Sequence, residues 1–200
     1  MTTAAPPEMN VQPVILSGRA VRLEPMTMDH VPALTAVGLH PDLWRWIPTP
    51  VTTADEMRGY VSTALGEMAR EVALPFVIID QTTSGVIGST RFANISKPDR
   101  HVEIGWTWIT PAFQRTVANT EAKLLLLTHA FEDLHCVRVE FKTDVLNEKS
   151  RNALARIGAV EEGTFRKHRL TASGRMRDTV YFSILDTEWP SVKERLVRRV

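Results

Sequence analysis

The stretch Gln114-Arg115-Thr116-Val117-Ala118-Asn119-Thr120-Glu121-Ala122-Lys123 places hydrogen-bonding side chains at the start of a leucine-rich helix. A helix N-terminus offers backbone N–H groups that lack intrahelical acceptors, together with partial positive charge, which suits a phosphate or pyrophosphate. Gln114 and Arg115 add side-chain donors, while Thr116, Asn119 and Thr120 can cap the helix or bond phosphate oxygens. Upstream, Glu103 sets a carboxylate inside a strand-like segment, where an enclosed carboxylate can take a proton. Downstream, Asn147 and Ser150 are three residues apart, the spacing of a helix cap. No Gly-x-x-x-x-Gly-Lys-Ser/Thr sequence marks a nucleotide-phosphate enzyme. His101, His129, His135 and His168 do not have the spacing of a local metal site, so no metal is expected, and Cys136 reads as a small packed residue.

These groups need a scaffold, and the surrounding pattern predicts one. Val102 to Ile109 alternates, with Val102, Ile104, Trp106 and Trp108 on one face and Glu103, Gly105 and Thr107 on the other. A helix over Ala118–Leu134 and an alternating strand over Val137–Thr143 follow, then a helix over Glu148–Ile157, capped by Asn147 and ended by Gly158. Toward the N-terminus, apolar pieces at Val14–Leu16 and Val21–Leu23 flank a turn, and helical spacing recurs over Met28–Leu39 and Ala54–Glu71. Leu74–Asp80 and Val86–Asn94 form a hairpin around Gln81–Gly85. The segment His40–Pro48 carries Trp44 and Trp46, either a substrate wall or an apolar plug. Strands over Val160–Leu170 and Thr179–Leu185 and a short amphipathic helix within Glu188–Val200 complete one mixed α/β domain at 14–200, preceded by a flexible segment at 1–13.

Composition narrows the partners. The 200 residues are 44% apolar, enough to bury one core. Basic residues number 24 against 23 acidic ones, and a formal charge of +1 gives no reason to expect nucleic acid or an anionic membrane as obligatory partner. A lone cysteine excludes an intrachain disulfide, and no stretch reads as a signal peptide or membrane span; the expected address is cytoplasmic.

The chain resembles the GNAT N-acetyltransferase superfamily, particularly its RimJ/RimL-like members. The resemblance is carried in order by Glu103-Ile104-Gly105-Trp106-Thr107-Trp108, Pro111-Ala112-Phe113-Gln114, Asn119-Thr120-Glu121-Ala122-Lys123, Asn147-Glu148-Lys149-Ser150 and Asp186-Thr187-Glu188-Trp189. It implies the acyl-CoA N-acyltransferase fold, a mixed central sheet flanked by helices with one splayed strand pair, and acetyl-CoA as cosubstrate. Trp108, Ile109 and Thr110 would meet the pantetheine arm through main chain, Gln114, Arg115, Thr116, Val117, Ala118, Asn119 and Thr120 would cradle the pyrophosphate, and Asn147, Ser150 and Arg151 would border the opposite side. The family turn has the form Gln/Arg-x-x-Gly-x-Gly/Ala; here Val117 takes the first glycine position, where a β-branched residue does not readily adopt positive φ.

By the same resemblance Glu103 is the base that deprotonates an amine. The tyrosine that protonates the leaving thiolate in many members is missing from Asn152-Ala153-Leu154-Ala155-Arg156, which leaves Ser150 or water. Trp44, Trp46, Arg91, Phe92 and His168 are the candidate acceptor wall. Acceptors within reach of the resemblance include protein N-termini and small amines, and a homodimer is compatible with it. The competing expectation is a CoA-binding regulatory or interaction module that is catalytically weak.

Overall fold

The computed structural model describes residues 8–47 and 49–200. Its strands form one sheet in the order β1-β2-β3-β4-β5-β6-β8-β7, made of β1 (Leu16–Ser17), β2 (Val21–Pro25), β3 (Leu74–Asp80), β4 (Val86–Ser96), β5 (His101–Ile109), β6 (Arg138–Asp144), β7 (Val160–Leu170) and β8 (Met176–Leu185). The helices are α1 (Val31–Gly38), α2 (Pro41–Trp44), α3 (Ala54–Ala69), α4 (Ala118–Thr128), α5 (Glu148–Ile157) and α6 (Trp189–Val197). Every neighbouring strand pair is antiparallel except β5–β6, the pair bridged by the α4 crossover.

Two cores lie on opposite faces of the sheet. One joins Val102, Ile104 and Ile109 to Ala122 and Leu126 of α4, Leu154 of α5 and Trp189 of α6. The other joins Trp44, Met57, Tyr60 and Val61 to Val77, Ile79 and Trp108. β5 therefore changes face along its length, contrary to the alternation predicted for it. Ser89 pairs with Trp108 and Arg91 with Gly105, so three steps on β5 oppose two on β4, and Trp106 absorbs the extra residue at φ 48°. This bulge sends Ile104 and Ile109 to the α4 side and Trp108 to the α3 side.

Within the segment 1–13 expected to be flexible, Met9 is 3% exposed and packs in the α4-side core; residues 1–7 lie outside the described residues.

Glu121 explains how the first hairpin is fixed. Its buried carboxylate accepts hydrogen bonds from the backbone N–H groups of Arg19 (2.8 Å), Ala20 (2.7 Å) and Val21 (2.7 Å), tying the β1–β2 turn to α4. Gly18 makes room for it, since a Cβ there would lie 2.4 Å from the Glu121 carboxyl carbon. Removing the carboxylate strands three donors, so Glu121→Ala is expected to cost about 3 kcal/mol in urea unfolding. A loss below about 1 kcal/mol would show that water replaces the carboxylate there.

Candidate active site

β5 and β6 pair only from His101 to Glu103 and from Arg138 to Glu140. Beyond that point they diverge, and a cavity of about 960 Å³ occupies the gap. Its walls come from both faces of the sheet: Gln114 to Val117, Asn119, Thr120, Lys123, Asn147 and Ser150 on the α4–α5 side, and Trp46, Glu103, Lys142, His168, Arg177 and Thr179 on the other. The splay expected between these strands is thus the feature that makes room for a ligand through the sheet.

Glu103 stands at the fork and is 4% exposed. Its Oε2 accepts hydrogen bonds from Asn94 Nδ2 (2.5 Å) and Lys142 Nζ (2.8 Å), whereas Oε1 accepts none among the described residues. One oxygen is held and the other is left for a water or an amine in the cavity. Gly105 keeps that oxygen accessible, since a Cβ there would sit 3.1 Å from it. Burial acts to lower the Lys142 ammonium, but Glu103, Tyr181 and Glu140 together outweigh it and hold this group above the ordinary lysine value.

On the other side the chain enters α4 through a turn whose backbone differs from expectation. Val117 has φ −65° and ψ −21°, ordinary helical angles, and is 37% exposed. The left-handed residue is Arg115, with φ 63°. Valine at position 117 therefore meets no backbone penalty. Glu121 N–H closes the first helical turn on Val117 C=O (2.9 Å), and Ala118 N–H reaches Thr116 Oγ1 (3.3 Å), which leaves the Asn119 and Thr120 N–H groups at the helix start open to an anion. Gln114 is already engaged: Nε2 donates to Ile109 C=O (2.9 Å) and Oε1 accepts from Lys149 (2.5 Å), so it braces the turn against α5. Asn147 caps α5 through Oδ1 and the Ser150 N–H (3.1 Å), while both residues also line the cavity.

Other expected site residues lie elsewhere. Trp44 is 2% exposed, donates its Nε1–H to Gly38 C=O (2.7 Å) and packs on Tyr60 and Trp108. Phe92 is fully buried against Phe76 and His129. Arg91, 2% exposed, is sandwiched by the Tyr60 and Trp106 rings and bonded to Glu67 (2.8 Å), so its charge is spent inside the fold. Thr110 gives its N–H to Ile87 C=O (2.8 Å), Ala118 belongs to the core, and Arg151 turns to Val145 C=O and Glu161; none of the three lines the cavity. Trp46 and His168 do line it, as do Trp108 and Ile109.

Lys123 is the principal residue that sequence reasoning missed as a site group. Its Nζ donates to Thr107 Oγ1 (2.9 Å) and lies 5.7 Å from the Phe141 ring centroid. Burial alone pushes its ammonium down to about 7, with no carboxylate acting on it. The available signal was a lysine beside Ala122 and one turn from Leu126 and Leu127, on the buried side of α4. Among the described residues no cluster of His, Cys, Asp or Glu could hold a metal ion, and no helix is long and apolar enough to cross a membrane.

Comparison with known proteins fits this geometry. A family model described as an acetyltransferase (GNAT) domain matches residues 20–160. Over 106 residues the chain is 40% identical to Bacillus subtilis YdaF, which carries the provisional name of a ribosomal N-acetyltransferase; the match spans 53% of this chain and 57% of YdaF. A crystal structure from T. thermophilus, provisionally named an acetyltransferase, superposes with TM-score 0.87 at 36% identity, covering 96% of this chain and all of that one (100%). RimJ of Mycobacterium smegmatis, solved with CoA-disulfide, superposes with TM-score 0.78 at 26% identity over 89% of this chain and 88% of its own. With a family model spanning most of its length and this sheet topology, the chain belongs to the GNAT acetyltransferase family.

Proposed function

We propose that this chain is an acetyl-CoA-dependent N-acetyltransferase that moves an acetyl group to the primary amine of a protein N-terminus or small molecule by direct attack in a ternary complex. The observation that supports it most is the cavity through the sheet, with open helix-start N–H groups at one side and the free oxygen of Glu103 at the other. The residues fit acetyl-CoA: Arg115, Thr116, Asn119 and Thr120 suit its pyrophosphate, the diverging edges of β5 and β6 suit a pantetheine arm, and Asn147 and Ser150 border the far wall. Acetyl-CoA supplies an activated thioester.

The chain's own contribution is orientation and proton management. An amine attacks only when its lone pair is free, and Glu103 Oε1 accepts the proton directly or through one water. The new N–C bond forms as the C–S bond breaks, the electron pair leaves on sulfur, and Ser150 or water returns a proton to the thiolate. Holding both reactants in one gap adds to the rate by removing the entropic cost of bringing them together.

The experiment is calorimetric titration with acetyl-CoA, followed by incubation with mixed amines while free CoA and acetylated products are measured. Saturable binding with amine-dependent CoA release is expected. Binding without turnover across a broad amine panel would instead favour a regulatory CoA-binding module, and no binding would overturn both.

A further inference from the structure

The cavity wall facing Glu103 carries more buried hydrogen-bonding capacity than the protein uses. Arg177 is 8% exposed and Thr179 is 1% exposed, and neither Arg177 Nε nor Thr179 Oγ1 has a hydrogen-bond partner among the described residues. His168 Nδ1 and Trp108 Nε1, from two further cavity-lining residues, are also without partners among them. Among the described residues the acceptor that Arg177 finds is Trp46 C=O, at a long 3.4 Å. Buried polar groups are ordinarily satisfied, and these four unused groups all belong to residues that line one cavity, where a ligand can engage them.

The charges on this wall say which ligand. Lys142 is spent on Glu103 and Glu140, and Arg175 on Asp144. Arg169 and Arg177, opposite one another on β7 and β8, enter no ion pair among the described residues. Burial opposes the charge of Arg177, Asp144 supports it, Arg169 opposes it and Glu103 supports it, with a net shift below the usual arginine value. Arg177 and Glu103 both line the cavity. Partial burial, with Arg169, Arg177 and Lys142 nearby, holds His168 below its ordinary value.

Building on the acetyltransferase function, we propose that the acceptor is an amino acid, its amine at Glu103 and its carboxylate held by Arg177, Arg169 and Thr179. A guanidinium fork matches a carboxylate in shape and charge. A peptide N-terminus offers a neutral carbonyl at the same distance from its amine, and a polyamine or lysine side chain brings further positive charge toward two unpaired arginines. The amine attacks the thioester, N–C forming and C–S breaking, with its proton passing to Glu103 and the thiolate leaving. Trp46 and Ile47 supply the apolar wall for a side chain.

The test compares L-phenylalanine and L-methionine with their amides, with N-terminal Phe- and Met-peptides and with a diamine, by kcat/KM for acetyl transfer. The free amino acids are expected to exceed their amides roughly 10- to 100-fold, the range of a charge-assisted hydrogen bond. Arg177→Met is expected to lower kcat/KM for the amino acid at least about tenfold more than for the amide, mainly through KM. The comparison on the unaltered enzyme stands whether or not that variant folds. Amides, peptides or diamines used as well as or better than amino acids would overturn the amino-acid assignment and leave the acetyltransferase intact. Acetylation of none of these amines would overturn both.

Discussion

Glu103→Gln is expected to lower kcat for amine acetylation by about 100-fold or more, the scale of a lost general base, while leaving acetyl-CoA affinity within about twofold. The amide is nearly isosteric and still accepts from Lys142, so the geometry of the fork is retained while proton uptake is lost. Glu103 is also half of an ion pair with Lys142, 2.8 Å away, and a purely structural role must be separated from a chemical one. Lys142→Met makes the separation. If Glu103 served only the pair, the two variants would lose activity alike and in step with their loss of stability. If its free Oε1 takes the proton, the glutamine variant loses far more kcat than its melting temperature explains. Equal kcat in Glu103→Gln and the unaltered protein would remove Glu103 from the chemistry.

Lys123→Met is expected to stabilise the fold and weaken acetyl-CoA binding together. An unfolded lysine keeps its proton to about pH 10.4, whereas burial lets the folded Lys123 release it at about 7. Between these values the unfolded chain binds more protons, so this group makes stability rise with pH across the window. Below pH 7 the penalty of burying the charge is complete. Methionine removes it, so the gain is largest near pH 6, at about 2 kcal/mol or more, and shrinks toward pH 10. Urea unfolding of both proteins at pH 6, 8 and 9.5 checks this; a gain that does not change with pH would contradict it. Lys123 lines the cavity and enters no ion pair among the described residues, so losing its donor is expected to weaken acetyl-CoA binding about tenfold. Such an exchange of stability for function is a recurrent cost at functional sites.

The elements were legible because their periods are simple. Val139, Phe141 and Thr143 alternate with Glu140 and Lys142, and β6 follows. The face reversal in β5 was hidden because one bulged residue, Trp106, changes the side of everything after it without altering the apparent alternation. At the site, Glu103 and the turn at Gln114 to Thr120 could be named from motif and order, but their partners could not. Lys142 reaches Glu103 only because β5 and β6 lie side by side after a helical crossover, and Arg177 joins them from a strand still later in the chain. Arg91 and Trp44 were plausible wall residues by type, and tertiary packing enclosed both. Val117 read as a misfit at a glycine position, whereas the positive φ belongs to Arg115.

The most direct test of the proposed cofactor site is a crystal structure of the protein with acetyl-CoA. The pyrophosphate is expected at the Asn119 and Thr120 N–H groups, the pantetheine arm between β5 and β6, and the acetyl group on the Glu103 side of the sheet. Acetyl-CoA bound outside this gap, or with its thioester turned away from Glu103, would contradict it.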